Sequence, residues 1–383
     1  MSEATPTGPL TGDDNRVPAT VEARLTALLE RLVARPGIHH AMFGVLSGDG
    51  ARHWSGAAGA AGPDGTPLRP DTPFFIASIT KRFIATLVLQ AHERGELDLD
   101  DPIVTHLPPA VTDGLHVIKG VDHTPAITVR HLLSHTSGLP DYWEKPRGGG
   151  TSLFRQLADG NDRSWSFDEM VAMVREEHAP HFPPQDLSAD RQRARYSDTG
   201  FQLLIAIAEA ATGRSFATLL SERILGPLGL DHTWLPDRLD PAGAVAAPSM
   251  VYAKDQPREL PGMLVAANDL FSTTADLLRF NQALLAGEPF DRRDTTEVLT
   301  ERANLLRNMI PIRYGAGTMF FRVGRLNGPG RRPVTLVGHS GVTGTWLFHC
   351  PELDVHLAGT IDQVKGARVP FRLMARILRA WHG

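Results

Sequence analysis

Ser78 precedes Lys81 by three residues in the run Phe75-Ile76-Ala77-Ser78-Ile79-Thr80-Lys81-Arg82-Phe83, where an apolar strand-like stretch passes into an amphipathic helix. Positions i and i+3 share a helix face, so the spacing brings an amine to a hydroxyl and lets it act as base or proton relay. Backbone N–H groups left free at a helix start, with their partial positive charge, suit an oxyanion forming beside Ser78. Lysine occupies only five positions (81, 119, 145, 254 and 365), and arginine makes up the rest of the basic residues. A guanidinium stays protonated, whereas a partly buried lysine can lose its proton near neutral pH, so lysine at 81 fits the chemistry.

Two further clusters matter. Tyr196-Ser197-Asp198 stands directly before an apolar helical pattern, and Gly338-His339-Ser340-Gly341 closes a β-like run. The three elements, in this order, resemble the boxes of the penicillin-recognising serine hydrolases: class C β-lactamases, DD-carboxypeptidases, D-aminopeptidases and esterases on the same scaffold. The resemblance spans roughly residues 20–380 and includes Ile127-Thr128-Val129-Arg130-His131-Leu132-Leu133-Ser134-His135-Thr136-Ser137-Gly138-Leu139-Pro140, similar to a structural signature of that family.

The resemblance implies that Ser78 is the acylated nucleophile, Lys81 its proton acceptor, and Tyr196 the group that protonates the leaving atom and later activates water. It implies an oxyanion hole from the backbone N–H groups of Ser78 and Val342, and substrate binding by Asp198, His339, Ser340 and Gly341. Tyr196 must lie near a cation to lower its pKa, and Lys81 is the one available. Asp198 departs from the usual asparagine: a carboxylate there favours the ammonium form of Lys81 and is equally placed to cap the helix that follows. His339 replaces the usual lysine of the third box; only fractionally cationic, it holds a substrate carboxylate less firmly, which points away from efficient penicillin hydrolysis. The implied reaction is acyl-enzyme hydrolysis of an ester or amide, with an esterase preferred. An acyltransferase or peptide cyclase using the same intermediate, and a non-catalytic sensor, are the alternatives.

Other motifs carry less. Gly338-His339-Ser340-Gly341 lacks the Gly-x-Ser-x-Gly form of a nucleophile elbow because Val342 occupies its last position. His131 and His135 have metal-ligand spacing without the His-Glu-x-x-His form, so no metal or other cofactor is expected. Cys350, the single cysteine, excludes an intramolecular disulfide and reads as core.

These groups need a scaffold. Apolar periodicity predicts helices over 19–35, 128–134, 152–159, 166–178, 200–211, 215–223, 274–286 and 370–382, with Ser272 or Thr273 capping that at 274, besides the Ser78 helix ended by Gly95. Alternation predicts a hairpin over 41–46 and 52–56 and strands near 314–323, 334–338, 343–350 and 354–361. The expected fold class is α+β: an antiparallel sheet built from both chain ends, flanked by the two terminal helices, with a mainly helical insertion. The expected division is a disordered lead-in over 1–17, a sheet domain over 18–95 plus 301–383, and a helical domain over 96–300.

With 383 residues, 42% hydrophobic and 21% charged, the chain can bury a large core. A formal charge of −4 gives no electrostatic reason for a nucleic-acid or membrane partner; the expected partner is a small-molecule or short peptide substrate. Neither a signal peptide nor a long apolar run is visible, so the expected location is cytoplasmic.

Overall fold

The structure is a computed structural model that describes residues 17–236, 247–364 and 366–382. The expected lead-in lies outside these residues except for Val17.

Helix α1 (Ala19–Val33) buries Val21, Leu25, Leu29 and Leu32 at helical spacing and stops before Pro36-Gly37, which cannot continue it. The C-terminal helix, labelled α6 (Val369–His382), buries Leu373, Met374, Ile377, Leu378 and Trp381 in the same way. These stripes pack against one face of the sheet, where Phe43, Val45, Trp346, Phe348 and Leu357 complete a shared core. Each fully buried side chain of this kind contributes about 1.5–3 kcal/mol.

The sheet has eight antiparallel strands: β1 (His40–Ser47), β2 (His53–Gly59), β3 (Asn304–Leu305), β4 (Arg313–Tyr314), β5 (Met319–Val323), β6 (Val334–Ser340), β7 (Trp346–Cys350) and β8 (Val355–Thr360), in the order β2-β1-β8-β7-β6-β5-β4-β3. β1 from the start of the chain pairs with β8 from its end, Phe43 opposite Gly359, so both ends build one sheet. Every residue of β1 is buried because both faces are covered. Ala41, Phe43 and Val45 meet the terminal helices, whereas Met42 and Leu46 join a second core with α2 (Thr80–Glu93), α4 (Asp198–Thr212) and α5 (Thr274–Ala286). That second core runs without a break from the sheet into the helical region.

Local chemistry sets the helix ends. Thr128 caps the short α3 (Val129–Leu133) through a box with His131, Thr273 caps α5 through the Asp276 amide, and Gly213 ends α4 at φ 66°. Some expected elements divide. The strand expected over 314–323 is two strands, because Gly315–Thr318 form a turn in which Gly317 takes φ 59° and donates to the Leu133 carbonyl. The helix expected over 166–178 is α-helical over Phe167–Ala172 and widens to a π-turn over Met173–Glu177. The strand expected from 343 begins at Trp346, since residues 341–345 form the turn after β6.

Candidate active site

The chain enters the site through Phe74–Phe75, turns through a 3₁₀ segment at Ala77–Ile79, and continues as α2. Ala77 takes φ 48°, a left-handed conformation that costs a non-glycine residue free energy. Neighbouring bonds hold the turn: Ile76 donates to the Leu270 carbonyl at 2.9 Å, and the Thr345 hydroxyl donates to the Ile76 carbonyl at 3.1 Å. The end of β6 passes so close that a Cβ on Gly341 would stand 2.8 Å from the Ala77 Cβ and 2.2 Å from Thr345 Oγ1. Glycine at 341 is therefore a packing requirement of the serine turn.

Ser78 Oγ lies 3.2 Å from Lys81 Nζ, as the i,i+3 spacing predicts. Lys81 is buried and forms a direct ion pair with Asp198, and its ammonium stands 5.3 Å from the Tyr196 ring centroid. The three groups thus converge from α2 and the start of α4. Ser197, not Asp198, occupies the cap position of α4; its hydroxyl donates instead to the Pro140 carbonyl at 2.9 Å, as the Thr199 hydroxyl does at 2.8 Å. Asp198 is freed from capping and turns to Lys81.

The 127–140 segment supports Tyr196. His135, at φ 56°, accepts the Ser197 N–H through Nδ1 at 3.3 Å and packs its ring between Tyr196 and Tyr314, with centroids 4.5 and 4.3 Å away. His131 turns elsewhere, to the Thr128 cap and the Gln185 carbonyl, so the two histidines do not face a common point.

The third box is divided between cleft and core. Ser340, Gly341 and Val342 line the cleft, but His339 does not. Its ring is fully buried, with Nδ1 2.9 Å from the Ser340 carbonyl and Nε2 3.0 Å from the Tyr314 hydroxyl. A carbonyl only accepts, so Nδ1 carries the proton and Nε2 accepts from Tyr314. Burial first, and then the Lys81 charge, keep the imidazole well below its usual pKa. The expectation that His339 binds a substrate carboxylate does not hold, because the side chain is turned beneath the cleft floor and is neutral.

Electrostatics favour the ammonium form of Lys81 that a carboxylate at 198 was expected to favour, but not the lowered Tyr196 pKa expected from that cation. Burial draws the Lys81 pKa down, but Asp198 and Asp269 together outweigh it, so the amine is held above its ordinary value as an ammonium. The Tyr196 hydroxyl is pushed well above the usual phenol range by burial and by Asp198, against a smaller opposing effect of Ser78. That hydroxyl is buried and completes no hydrogen bond among the described residues. Asp269 is raised to about 6 by burial, against the pull of Lys81, and Asp141 well above its usual range by burial and by the Asp198 charge.

Asp141, Asp269, Tyr314 and His135 are site residues that sequence reasoning missed. One signal was present: of only four tyrosines in the chain, Tyr142, Tyr196 and Tyr314 gather here. Asp141 and Tyr142 follow directly on the Gly138-Leu139-Pro140 end of the signature.

Ser78, Asp141, Tyr196, Asp198 and Asp269 border a cavity of about 730 Å³ whose wall is mainly apolar, with Tyr142, Trp143, Phe154, Leu157, Leu260 and Met263 also lining it. Among the described residues the Ser78 and Val342 amides donate to no backbone carbonyl, and both residues line the cleft. Hydrophobic walls with a few convergent polar groups fit an organic substrate of moderate size.

The antiparallel sheet closed by both chain ends, with a helical insertion carrying the Tyr-x-Asp element above the Ser-x-x-Lys turn, defines a β-lactamase/transpeptidase-like fold. A family profile described as Beta-lactamase matches residues 25–379, and the chain belongs to that family. It is 31% identical over 217 residues to Esterase EstB of Burkholderia gladioli, covering 55% of this chain and 51% of that protein. It is 27% identical over 321 residues to the D-aminopeptidase of Brucella anthropi, covering 81% of this chain and 53% of the relative. The chain thus spans about half the length of these relatives. Among solved structures, a D-stereospecific amidohydrolase from Streptomyces sp. superposes with TM-score 0.70 at 26% identity, covering 92% of this chain and 97% of that one. The D-amino acid amidase from Ochrobactrum anthropi SV3 complexed with L-phenylalanine amide gives TM-score 0.73 at 25% identity, covering 94% and 98%. No single helix among the described residues is long and apolar enough to cross a membrane.

Proposed function

We propose that this protein is a serine hydrolase that works through an acyl-enzyme on an ester carrying a bulky apolar acyl group. The observation that carries the reading is the Ser78–Lys81 contact at 3.2 Å in a largely apolar cleft that Ser78 and Val342 line.

Ser78 Oγ attacks the carbonyl carbon and its proton passes to the Lys81 amine, once that amine has lost its own proton. The oxyanion is met by the Ser78 and Val342 N–H groups, and collapse of the intermediate expels an alkoxide that takes a proton from the Tyr196 hydroxyl. Water then attacks the acyl-enzyme, giving a proton to the Tyr196 phenolate, and collapse of the second intermediate releases the acid as Ser78 Oγ takes its proton back from Lys81. Asp198 and Asp269 make Lys81 a reluctant base, which favours the more electrophilic ester carbonyl over an amide. His339 supplies no cation to the cleft and Arg195 is paired with Glu144, which leaves Lys145 and Arg258 as the other basic residues on its lining. Because the third box itself offers no cation, penicillins are placed behind esters as candidates.

A second reading has its own support. Asp141 and Asp198 line the cleft and could receive a substrate ammonium, as in an amino-acid amide, which agrees with relatives named D-aminopeptidase and D-amino acid amidase.

Intact-mass measurement after brief exposure to a fluorophosphonate tests the nucleophile: one adduct is expected on the protein and none on Ser78→Ala. Absence of an adduct on both proteins would end the proposal. Turnover of a chromogenic ester series, a cephalosporin reporter and paired D- and L-amino-acid amides then separates the two substrate readings, with esters expected to be hydrolysed fastest.

A further inference from the structure

Far from Ser78 in its wall residues, a second cavity of about 250 Å³ opens between α1 and α6. Arg31 borders it from the last turn of α1 and Arg35 from just past that helix, while Arg368 stands in the segment leading into α6 and Arg372 and Arg376 on α6 itself. Arg372 and Arg376 stand four residues apart on one face of α6, and Arg31, Arg35 and Arg368 line the same groove from the end of α1 and the approach to α6. Leu28, Leu32, Val369 and Leu373 form an apolar floor.

Five formal positive charges thus meet in a molecule whose net charge is −4. Exposed arginines elsewhere divide between those with carboxylate partners, such as Arg155 with Asp159, Arg214 with Glu222 and Arg292 with Asp294, and those such as Arg302 and Arg313 whose side chains reach backbone carbonyls. The five groove arginines have none among the described residues, and the side-chain bond of Arg31 is to the Ala27 carbonyl in its own helix. Like charges at i,i+4, as at Arg372 and Arg376, destabilise a helix, and Arg31 and Arg35 bring further positive charge to the same groove. A planar, always-charged fork is the side chain best matched to phosphate oxygens, and several of them around a pocket recognise adjacent phosphates.

We propose that the groove between α1 and α6 binds a small molecule carrying adjacent phosphate groups, with its organic part over the Leu32–Leu373 floor. The site is separate from the acyl chemistry and does not depend on the proposed reaction. A lipid headgroup offers the same phosphate chemistry, but a recess of about 250 Å³ between α1 and α6 suits a free ligand small enough to enter it.

Titration calorimetry of the full chain with inorganic tripolyphosphate is the test. One molecule per chain is expected, with affinity that falls as salt rises. Arg31→Glu with Arg372→Glu should weaken binding at least about tenfold, whereas Arg372→Lys, which keeps the charge without the fork, should weaken it less. Should the double variant fail to fold, Arg372→Gln with thermal melting serves instead: tripolyphosphate should raise the Tm of the unaltered protein and raise that of Arg372→Gln less. Equal affinity in all variants, no saturable binding, or arginine-dependent binding to phosphatidylserine vesicles that tripolyphosphate does not compete would each overturn the proposal.

Discussion

Lys81 stands between two partners of opposite consequence: its ammonium is paired with Asp198 while the Ser78 hydroxyl waits 3.2 Å away. Because Asp198 and Asp269 together raise the Lys81 pKa against the effect of burial, kcat/KM for an ester should climb with pH as the amine gives up its proton. Asp198→Asn removes the nearer carboxylate, lowers the Lys81 pKa and should move the rising limb to lower pH. A pH–rate profile of both proteins checks this, and identical limbs would show that Lys81 is not the titrating base.

Asp269 offers a stability test with a defined sign. Its folded pKa of about 6 lies above the usual aspartate value because burial disfavours the anion. Between those two values the folded state holds more protons than the unfolded one, so the residue's contribution to stability declines as pH rises through this window. Asp269→Asn should therefore raise Tm more at pH 8 than at pH 4. Melting curves at the two values decide it; a larger gain at the acidic value would mean that the Lys81 attraction outweighs burial.

Gly341 is predicted to be intolerant of even one added carbon. Gly341→Ala places a Cβ 2.2 Å from Thr345 Oγ1 and 2.8 Å from the Ala77 Cβ, forcing apart the turn that presents Ser78. Overpacking of this kind costs about 1–3 kcal/mol. Chemical denaturation should show that loss, and fluorophosphonate labelling should slow; an unaffected labelling rate would mean that the serine turn is set without β6.

Cys350 should be inert. Burial and the neighbouring Glu352 push its thiol up to about 12, so little thiolate exists near neutral pH. A thiol reagent should modify the native protein negligibly and react with one equivalent per chain in guanidinium chloride. Rapid labelling without denaturant would contradict this.

Much of this arrangement was legible because it is local. The i,i+3 relation of Ser78 to Lys81, the Thr273 cap and the full extent of α5 depend on neighbours in sequence, and each stands where the pattern placed it. The sheet was legible from period-2 alternation at both chain ends. Asp269 was not, because nothing around it signals that Lys81, far away in sequence, will share its burial. His339 shows a different limit: its box could be recognised, but only the packed structure reveals a ring turned to Tyr314. The split at Gly315–Thr318 escaped because the apolar pattern continues through a turn that α2 and α3 dictate, with Gly317 against Ala85 and Leu133.

The union of Ile76-Ala77 with Gly341 and Thr345 also bears on the order of synthesis. A growing polypeptide carries Ser78 and Lys81 long before the ribosome reaches the segment that buttresses them. Until β6 and the turn after it arrive, Ala77 lacks the close contact that fixes the serine turn. Nascent chains that stop short of β6 should accordingly be unreactive toward activated acyl compounds, with nucleophilicity appearing only once the segment through Thr345 has emerged.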